Sequence, residues 1–255
     1  MFDLPKQILK RLAWSCGYRI TQIDNIHFFD FEALLYFQLA RSPEFRFIQI
    51  GACDGVSFDP IYPFVTRNHA RIQGLVVEPL PDLFGQLQHN YRKFPSIVPV
   101  NCAIHNTEKE MILYRVDPAR TDGLPEWSKG LASFNNQHHE LTGIPRDVIV
   151  SERVASMSLP ELMAAYQYPR LDLLQIDTEG YDAEIILGID YRALAPTIIR
   201  FEHGLHVGTM TSETFERVAD KLHQHGYELA IENSDAIAYQ RNIVFDWQQQ
   251  SARNV

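Results

Sequence analysis

Four short apolar runs in this chain end directly in groups that can do chemistry. Phe45–Ile50 runs into Gly51-Ala-Cys-Asp-Gly55, and Gly74–Val77 runs into Glu78. Leu171–Ile176 delivers Asp177 and Glu179, and Pro196–Phe201 delivers Glu202 and His203. Glycines such as Gly51 and Gly55 tolerate φ > 0 and carry no Cβ, so backbone around Ala52 and Asp54 can approach a ligand closely. A carboxylate at the end of a second strand, as at Glu78, can accept hydrogen bonds from two adjacent ribose hydroxyls. Asn101 and Cys102 fall at the end of a third run, Ile97–Ile104, beside where an adenine would lie. The stretch Leu131–His139 is the densest polar cluster in the chain and holds the pair His138 and His139.

The elements that must position these groups follow from periodicity. Phe45–Ile50 is short, apolar and rich in aromatic and β-branched residues, which predicts a buried strand. Asp59 and Pro60 predict the N-cap and first position of a helix, whose early amides are free to meet an anion. Pro81–Tyr91 predicts a second helix, and Pro99 places the third strand at an outer position of its sheet. Met111–Val116 and Ile149–Val154 predict an added antiparallel pair. Ser158-Leu-Pro-Glu161 is a capping box opening a helix. Ala183–Leu194 and a stretch capped by Ser212 and ended by Gly226 predict two more helices, and Tyr227–Tyr239 a closing hairpin. Alternating strands and helices predict an α/β fold with a mostly parallel sheet, right-handed crossovers and helices on both faces. Ligands bind such sheets at the carboxyl ends of the strands, where the four polar ends converge.

Residues 117–147 hold Pro118, Gly123, Pro125, Gly130, Gly143 and Pro145 and little periodicity, so they are expected to form a lid or acceptor-binding loop. Residues 1–43 read as an N-terminal helical extension, 44–246 as the main domain and 247–255 as a polar tail. Within the extension, residues 4–14 predict a basic amphipathic helix, suited to packing on the domain or a partner, or to touching an anionic membrane surface.

The chain has 255 residues and a formal net charge of −9, which excludes a basic field for nucleic acid. Three cysteines, Cys16, Cys53 and Cys102, form neither a disulfide framework nor a metal-ligand spacing. Reduced thiols and a cytoplasmic location are the expectation.

The segments Gln49–Gly55, Val77–Pro79, Asn101–Ile104, Ser158–Glu161 and above all Leu174-Gln-Ile-Asp-Thr-Glu-Gly-Tyr-Asp182 resemble, in order and spacing, the FkbM-type S-adenosylmethionine-dependent methyltransferases. The resemblance covers residues 45–239. It implies a Rossmann-like seven-stranded sheet with the last strand antiparallel, and transfer of a methyl group, mostly to hydroxyls of sugars and other natural products. It implies that Gly51, Ala52, Asp54 and Gly55 hold the methionine part of the donor. Glu78 would hold the ribose, Asn101, Cys102 and Ala103 would flank the adenine, and Asp177 would face the methyl group. Gln175 departs from the family, where a lysine is usual.

An alcohol is a poor nucleophile, so its proton must be taken or weakened. The sequence leaves two arrangements open. Either His203 or His138 accepts the proton beside an orienting carboxylate, or Asp177, Glu202 and His203 hold a divalent ion. Two other functions share part of this pattern: a nicotinamide-dependent oxidoreductase, and a non-catalytic binding module with a vestigial cofactor site.

Overall fold

The computed structural model describes residues 29–243. The amphipathic segment 4–14 and the tail 247–255 lie outside the described residues. The described residues from Phe31 to Ile243 belong to one compact unit.

The first helix, α1 (Phe31–Arg41), buries Leu35 and Leu39. It is tied to the body, since Gln38 Nε2 donates to Asp172 Oδ1 at 2.7 Å. Asp172 is almost wholly buried and also accepts from the Arg46 amide and from Arg170. The last helix of the expected extension is thus part of the main body. Then come β1 (Phe45–Ile50), α2 (Tyr62–Asn68), β2 (Ile72–Val77), α3 (Pro81–Tyr91), β3 (Ile97–Val100) and β4 (Ala103–Ile104). β5 (Glu110–Val116), β6 (Ala132–Ser133), α4 (His138–Thr142), β7 (Ile149–Met157) and α5 (Leu159–Ala165) follow. The chain closes with β8 (Leu173–Ile176), α6 (Asp182–Gly188), β9 (Ile198–Glu202), α7 (Ser212–Gln224), β10 (Tyr227–Glu232) and β11 (Asp235–Gln240).

Seven strands make the main sheet in the order β10-β11-β9-β8-β1-β2-β3. β1 pairs in parallel with β2 and β8, and β8 in parallel with β9. β11, last in the chain, runs antiparallel to both neighbours. This is the expected topology, and Pro99 sits on the edge strand, where a missing donor costs no ladder bond. Side chains alternate across the sheet, so Ile48, Ile50, Leu174, Ile176, Ile199 and Phe201 fill one core with α5, α6 and α7. Both faces are covered, which is why these strands read as apolar runs.

A second sheet, ordered β4-β7-β5-β6, grows from the segment after β3. β5 and β7 pair over seven residues, from Glu110 with Ala155 to Val116 with Ile149. Arg115 on β5 is buried and fixes this sheet to the start of α3 through Asp82, at 2.6 and 2.8 Å, and to Glu152 at 3.0 Å.

Three helix boundaries depart from expectation. α2 begins at Tyr62, because Asp59 Oδ1 already accepts from the Ile61 and Tyr62 amides ahead of it. The cap of α7 is Thr211, whose hydroxyl accepts from the Thr214 amide. α6 ends at Gly188 rather than Leu194. The capping box at Ser158 and Glu161 forms as read. Among the described residues, no helix is long and apolar enough to cross a membrane.

Candidate active site

A cavity of about 290 Å³ opens at the carboxyl edge of the main sheet. The ends of β1, β2 and β8, the segment 102–104 and the turn 126–130 wall it.

The glycine loop after β1 is held chiefly by the chain itself. The Gly51 and Ala52 amides both donate to Val77 O at 3.0 Å. Gly51 adopts φ +78°, and a Cβ there would lie 1.7 Å from the Asp177 carbonyl oxygen. Glycine is therefore required where the ends of β1 and β8 meet. Gly55 does not line the cavity; a Cβ on it would strike Leu87 and Tyr91 of α3, so it seats the loop on that helix. Asp54 lines the cavity but spends its carboxylate on the Val56 and Ser57 amides and the Ser57 hydroxyl. Partial burial would raise its pKa, and these bonds bring it below the ordinary value instead.

Glu78 is buried at the end of β2 and lines the cavity. Its two oxygens accept from the Cys53 amide at 2.9 Å and the Leu80 amide at 2.8 Å. Burial pushes its carboxyl up to about 7, against those two amides. Each oxygen keeps a lone pair for a further donor. Cys102 and Ala103 line the wall with Leu83 and Leu113. Asn101 does not line it; its amide donates to the Glu78 and Pro79 carbonyls at 2.9 and 3.0 Å and fixes the turn after β2. Burial raises the Cys53 thiol to about 12, with Glu78 adding to it, and burial raises Cys102 to about 11. Neither is a nucleophile near neutral pH.

Asp177 ends β8 and meets water in the cavity, although protein surrounds it on all other sides. Desolvation by that protein holds its carboxyl above the usual range, and Glu179 and Asp182 add to the shift; cavity water tempers the first cause. Asp182 is fully enclosed and pinned by Thr178 and the Glu202 amide, with burial raising it to about 6.

Glu179 is the group the strand-end pattern understated. It lies on the cavity wall at φ +52°. Its Oε2 is 2.8 Å from His138 Nε2, and its backbone carbonyl accepts from the Ser133 hydroxyl at 2.6 Å. The irregular segment 117–147 is thus docked on the β8 loop by two bonds to one residue. The His105 ring stacks on Tyr181, and Phe134 packs edge-on against both. His138 touches the site through Glu179 and is itself behind the wall.

His203 is not brought to the cavity. It is buried after β9, where it accepts from the Leu205 amide at 3.2 Å and packs on Phe215 of α7. Burial lowers its pKa from the ordinary value. Glu202 is also off the cavity wall, and burial, then Glu179 and Asp177, raises it to about 9. Of the three groups considered for a divalent ion, only Asp177 reaches the cavity. Among the described residues, no cluster of three or more His, Cys, Asp or Glu side chains could hold a metal ion.

Three buried acceptors near the glycine loop have no hydrogen-bond partner: Gln49 Oε1, Asp59 Oδ2 and Gln175 Oε1. All three residues line the cavity, and Gln49 and Gln175 are side by side on β1 and β8. Gln49 is near enough to Asp59 to lower its carboxyl, which burial raises, yet Oδ2 still lacks a bond of good geometry. Buried unpaired acceptors are rare and costly, so their coincidence calls for donors from a ligand. The α-ammonium of S-adenosylmethionine offers three N–H groups and a positive charge. Glu78 suits the ribose hydroxyls, the Leu83–Cys102–Leu113 wall suits an adenine, and carboxylates suit a sulfonium. The residues present therefore fit this donor. Asp59 and Gln49 were not legible as binding residues from motif spacing; the sole signal was two polar side chains in otherwise apolar or helix-capping positions.

The sequence profile of the methyltransferase FkbM domain matches residues 49–229. Among solved structures, precorrin-6y C5,15-methyltransferase from Geobacter metallireducens GS-15 aligns with a TM-score of 0.39 and 15% identity, over 87% of this chain and 93% of its own. A TehB-like SAM-dependent methyltransferase from Corynebacterium glutamicum gives 0.39 and 13%, over 92% and 96%. Aeropyrum pernix fibrillarin, solved with natively bound S-adenosyl-L-methionine, gives 0.39 and 15%, over 81% and 72%. No curated protein matches this chain.

Proposed function

The chain belongs to the methyltransferase FkbM domain family, and from that premise we propose that it methylates a hydroxyl oxygen of a sugar or other small natural product. The nicotinamide-dependent alternative loses its ground with the family. The observation that carries the reading is the cavity at the strand ends, where Glu78, three unpartnered acceptors and the Asp177–Glu179 segment share one space.

When bound, S-adenosylmethionine supplies a methyl group activated by a sulfonium. Gln49, Asp59 and Gln175 would accept from its ammonium, and Glu78 from its ribose hydroxyls. Desolvation, then Glu179 and Asp182, hold the Asp177 carboxyl above the usual range, and a cation beside it would favour its ionised form. Alignment rather than covalent help dominates an in-line displacement. Glu179 takes the proton of the acceptor hydroxyl and is neutralised by it, while His138 orients the carboxylate from behind. This moves the proton-accepting role from a histidine, His203 or His138, to the Glu179 carboxylate, with His138 as its positioning partner. The test is transfer of labelled methyl from S-adenosylmethionine to a panel of hydroxyl compounds. Label in an acid-stable ether supports the reading, and label on nitrogen, or no transfer to any hydroxyl acceptor, removes it.

A further inference from the structure

Arg115 buries a guanidinium in the second sheet. Its side chain is 4% exposed on β5, and its Nε has no hydrogen-bond partner. Its Nη atoms hold both oxygens of Asp82, at 2.6 and 2.8 Å, and Glu152 Oε2 on β7 at 3.0 Å. Leu113, two residues earlier on the same face of β5, packs with Leu80, Leu83 and Val154 and lines the cavity. Burying an ion pair costs desolvation that its attraction seldom exceeds, and apolar residues of similar volume often serve stability as well. The unpartnered Nε–H adds to that cost. Stability alone therefore does not account for an arginine at 115.

The clamp falls beside the group that would hold the ribose. Asp82 is in the first turn of α3, which begins just after Leu80. The Leu80 amide donates to Glu78 Oε1 at 2.8 Å, and the Cys53 amide to Oε2 at 2.9 Å. Glu78, Leu80 and Asp82 are thus one short run, held at one end by the glycine loop and at the other by β5. Glu78 also feels two opposed charges from a single ion pair. The Arg115 guanidinium favours its ionised form, and the Asp82 carboxylate disfavours it. The other groups facing it are the Cys53 thiol of the glycine loop, with Asp54 and Asp177 beyond, and Glu152 behind Arg115. The thiol, raised to about 12, is neutral near pH 7, and Asp54, held below its ordinary value, is ionised there. An ionised carboxylate is the stronger acceptor for ribose hydroxyls.

We propose that Arg115 is a positioning residue of the donor site, acting on the Glu78 carboxylate through its charge and, across the start of α3, through its fork on Asp82. This rests on the methyltransferase reading above for what Glu78 holds, and on the clamp itself for how Glu78 is held.

The test is calorimetric titration of the full-length protein with S-adenosylhomocysteine on either side of about pH 7, the value for Glu78. Carbon-13 NMR follows the Glu78 carboxyl in the free protein over the same range, its resonance assigned by its loss in Glu78→Gln. Affinity should fall as pH drops through the Glu78 midpoint. Arg115→Met should raise that midpoint by about half a unit or more. Asp82→Asn should lower it, and the double variant should return it toward the wild-type value. Arg115→Lys keeps the charge and should hold the wild-type midpoint. An arginine that merely anchors the hairpin would, when lost, weaken binding alike at every pH, with no opposed shifts. A midpoint unmoved in Arg115→Met, or moved the same way in both single variants, overturns the proposal. Thermal melting reports whether each variant folds. If Arg115→Met does not, Asp82→Asn and Arg115→Lys decide, and a midpoint that fails to fall in the first or that rises in the second overturns the proposal. Failure of S-adenosylhomocysteine to bind the wild type would strike the donor reading instead, while the NMR midpoints of Glu78 still decide the role of Arg115.

Discussion

The Glu78 carboxylate accepts from the Cys53 amide at 2.9 Å, so the end of β2 and the glycine loop after β1 share one buried group. Its second oxygen takes the Leu80 amide at 2.8 Å. The residue that would hold the ribose therefore also shapes the loop beside the methionine part of the donor. Glu78→Ala should weaken S-adenosylhomocysteine by roughly 1–3 kcal/mol, the value of hydrogen bonds to a charged acceptor. It should also lower the melting temperature of the free protein, because two buried amides lose their partner. Calorimetry and thermal melting on the same samples check both.

Gly51 faces the Asp177 carbonyl with no room for a methyl group. Gly51→Ala should cost more than about 3 kcal/mol, combining backbone strain at φ > 0 with overpacking. Gly123, also at positive φ but with nothing within 4 Å of a Cβ, is the control, and Gly123→Ala should cost about 1 kcal/mol. Chemical denaturation of the two variants separates steric conflict from backbone strain.

Raised carboxyls set the direction of the pH dependence. Asp182, Glu78 and Glu202 hold their protons in the fold to about 6, 7 and 9. Below the ordinary carboxylate range both states are protonated and their stabilising contribution is complete. As pH rises the unfolded chain ionises first, so that contribution is lost progressively until pH passes the folded values. His203, lowered by burial, acts oppositely but only below its ordinary value of 6.5. Between pH 7 and 9 the melting temperature of the free protein should therefore fall. A bound cation favours the ionised carboxylates, so S-adenosylmethionine should gain affinity over the neutral sulfide S-adenosylhomocysteine across the same window. Parallel titrations at pH 6, 7.5 and 9 check this.

Glu179→Gln and His138→Ala should slow methyl transfer by about 10²–10⁴-fold, the usual weight of a positioned proton acceptor, with donor affinity little changed. His203→Ala should lower stability through the lost packing on Phe215 and leave transfer within about threefold, as befits a group that does not touch the reacting atoms. Single-turnover rates on the three variants distinguish the two histidines.

What was legible in the sequence was local. Strands β1, β2, β8 and β9, and the polar groups at their ends, follow from short apolar runs and the residues that stop them. Glu78 was legible because one strand end carries one acid. The pairing of β5 with β7 was legible from alternation. His203 and Asn101 misled for a shared reason: a residue one step past a strand end can turn to either side, and each is claimed by a local bond. The delayed start of α2 has a similar cause, since Asp59 satisfies the next two amides without a helix. The Glu179–His138 contact joins residues 41 apart, and the Arg115–Asp82 clamp joins residues 33 apart. Periodicity carries no information about either.

The central claim is that the cavity beside Glu78 binds S-adenosylmethionine. Calorimetric titration of the full-length protein with S-adenosylmethionine, and separately with NADH, tests it most directly. The account predicts saturable binding of S-adenosylmethionine to one site per chain, weakened by roughly 1–3 kcal/mol in Glu78→Ala, and no heat from NADH. Saturable binding of NADH, or no binding of S-adenosylmethionine at millimolar concentration, would contradict it.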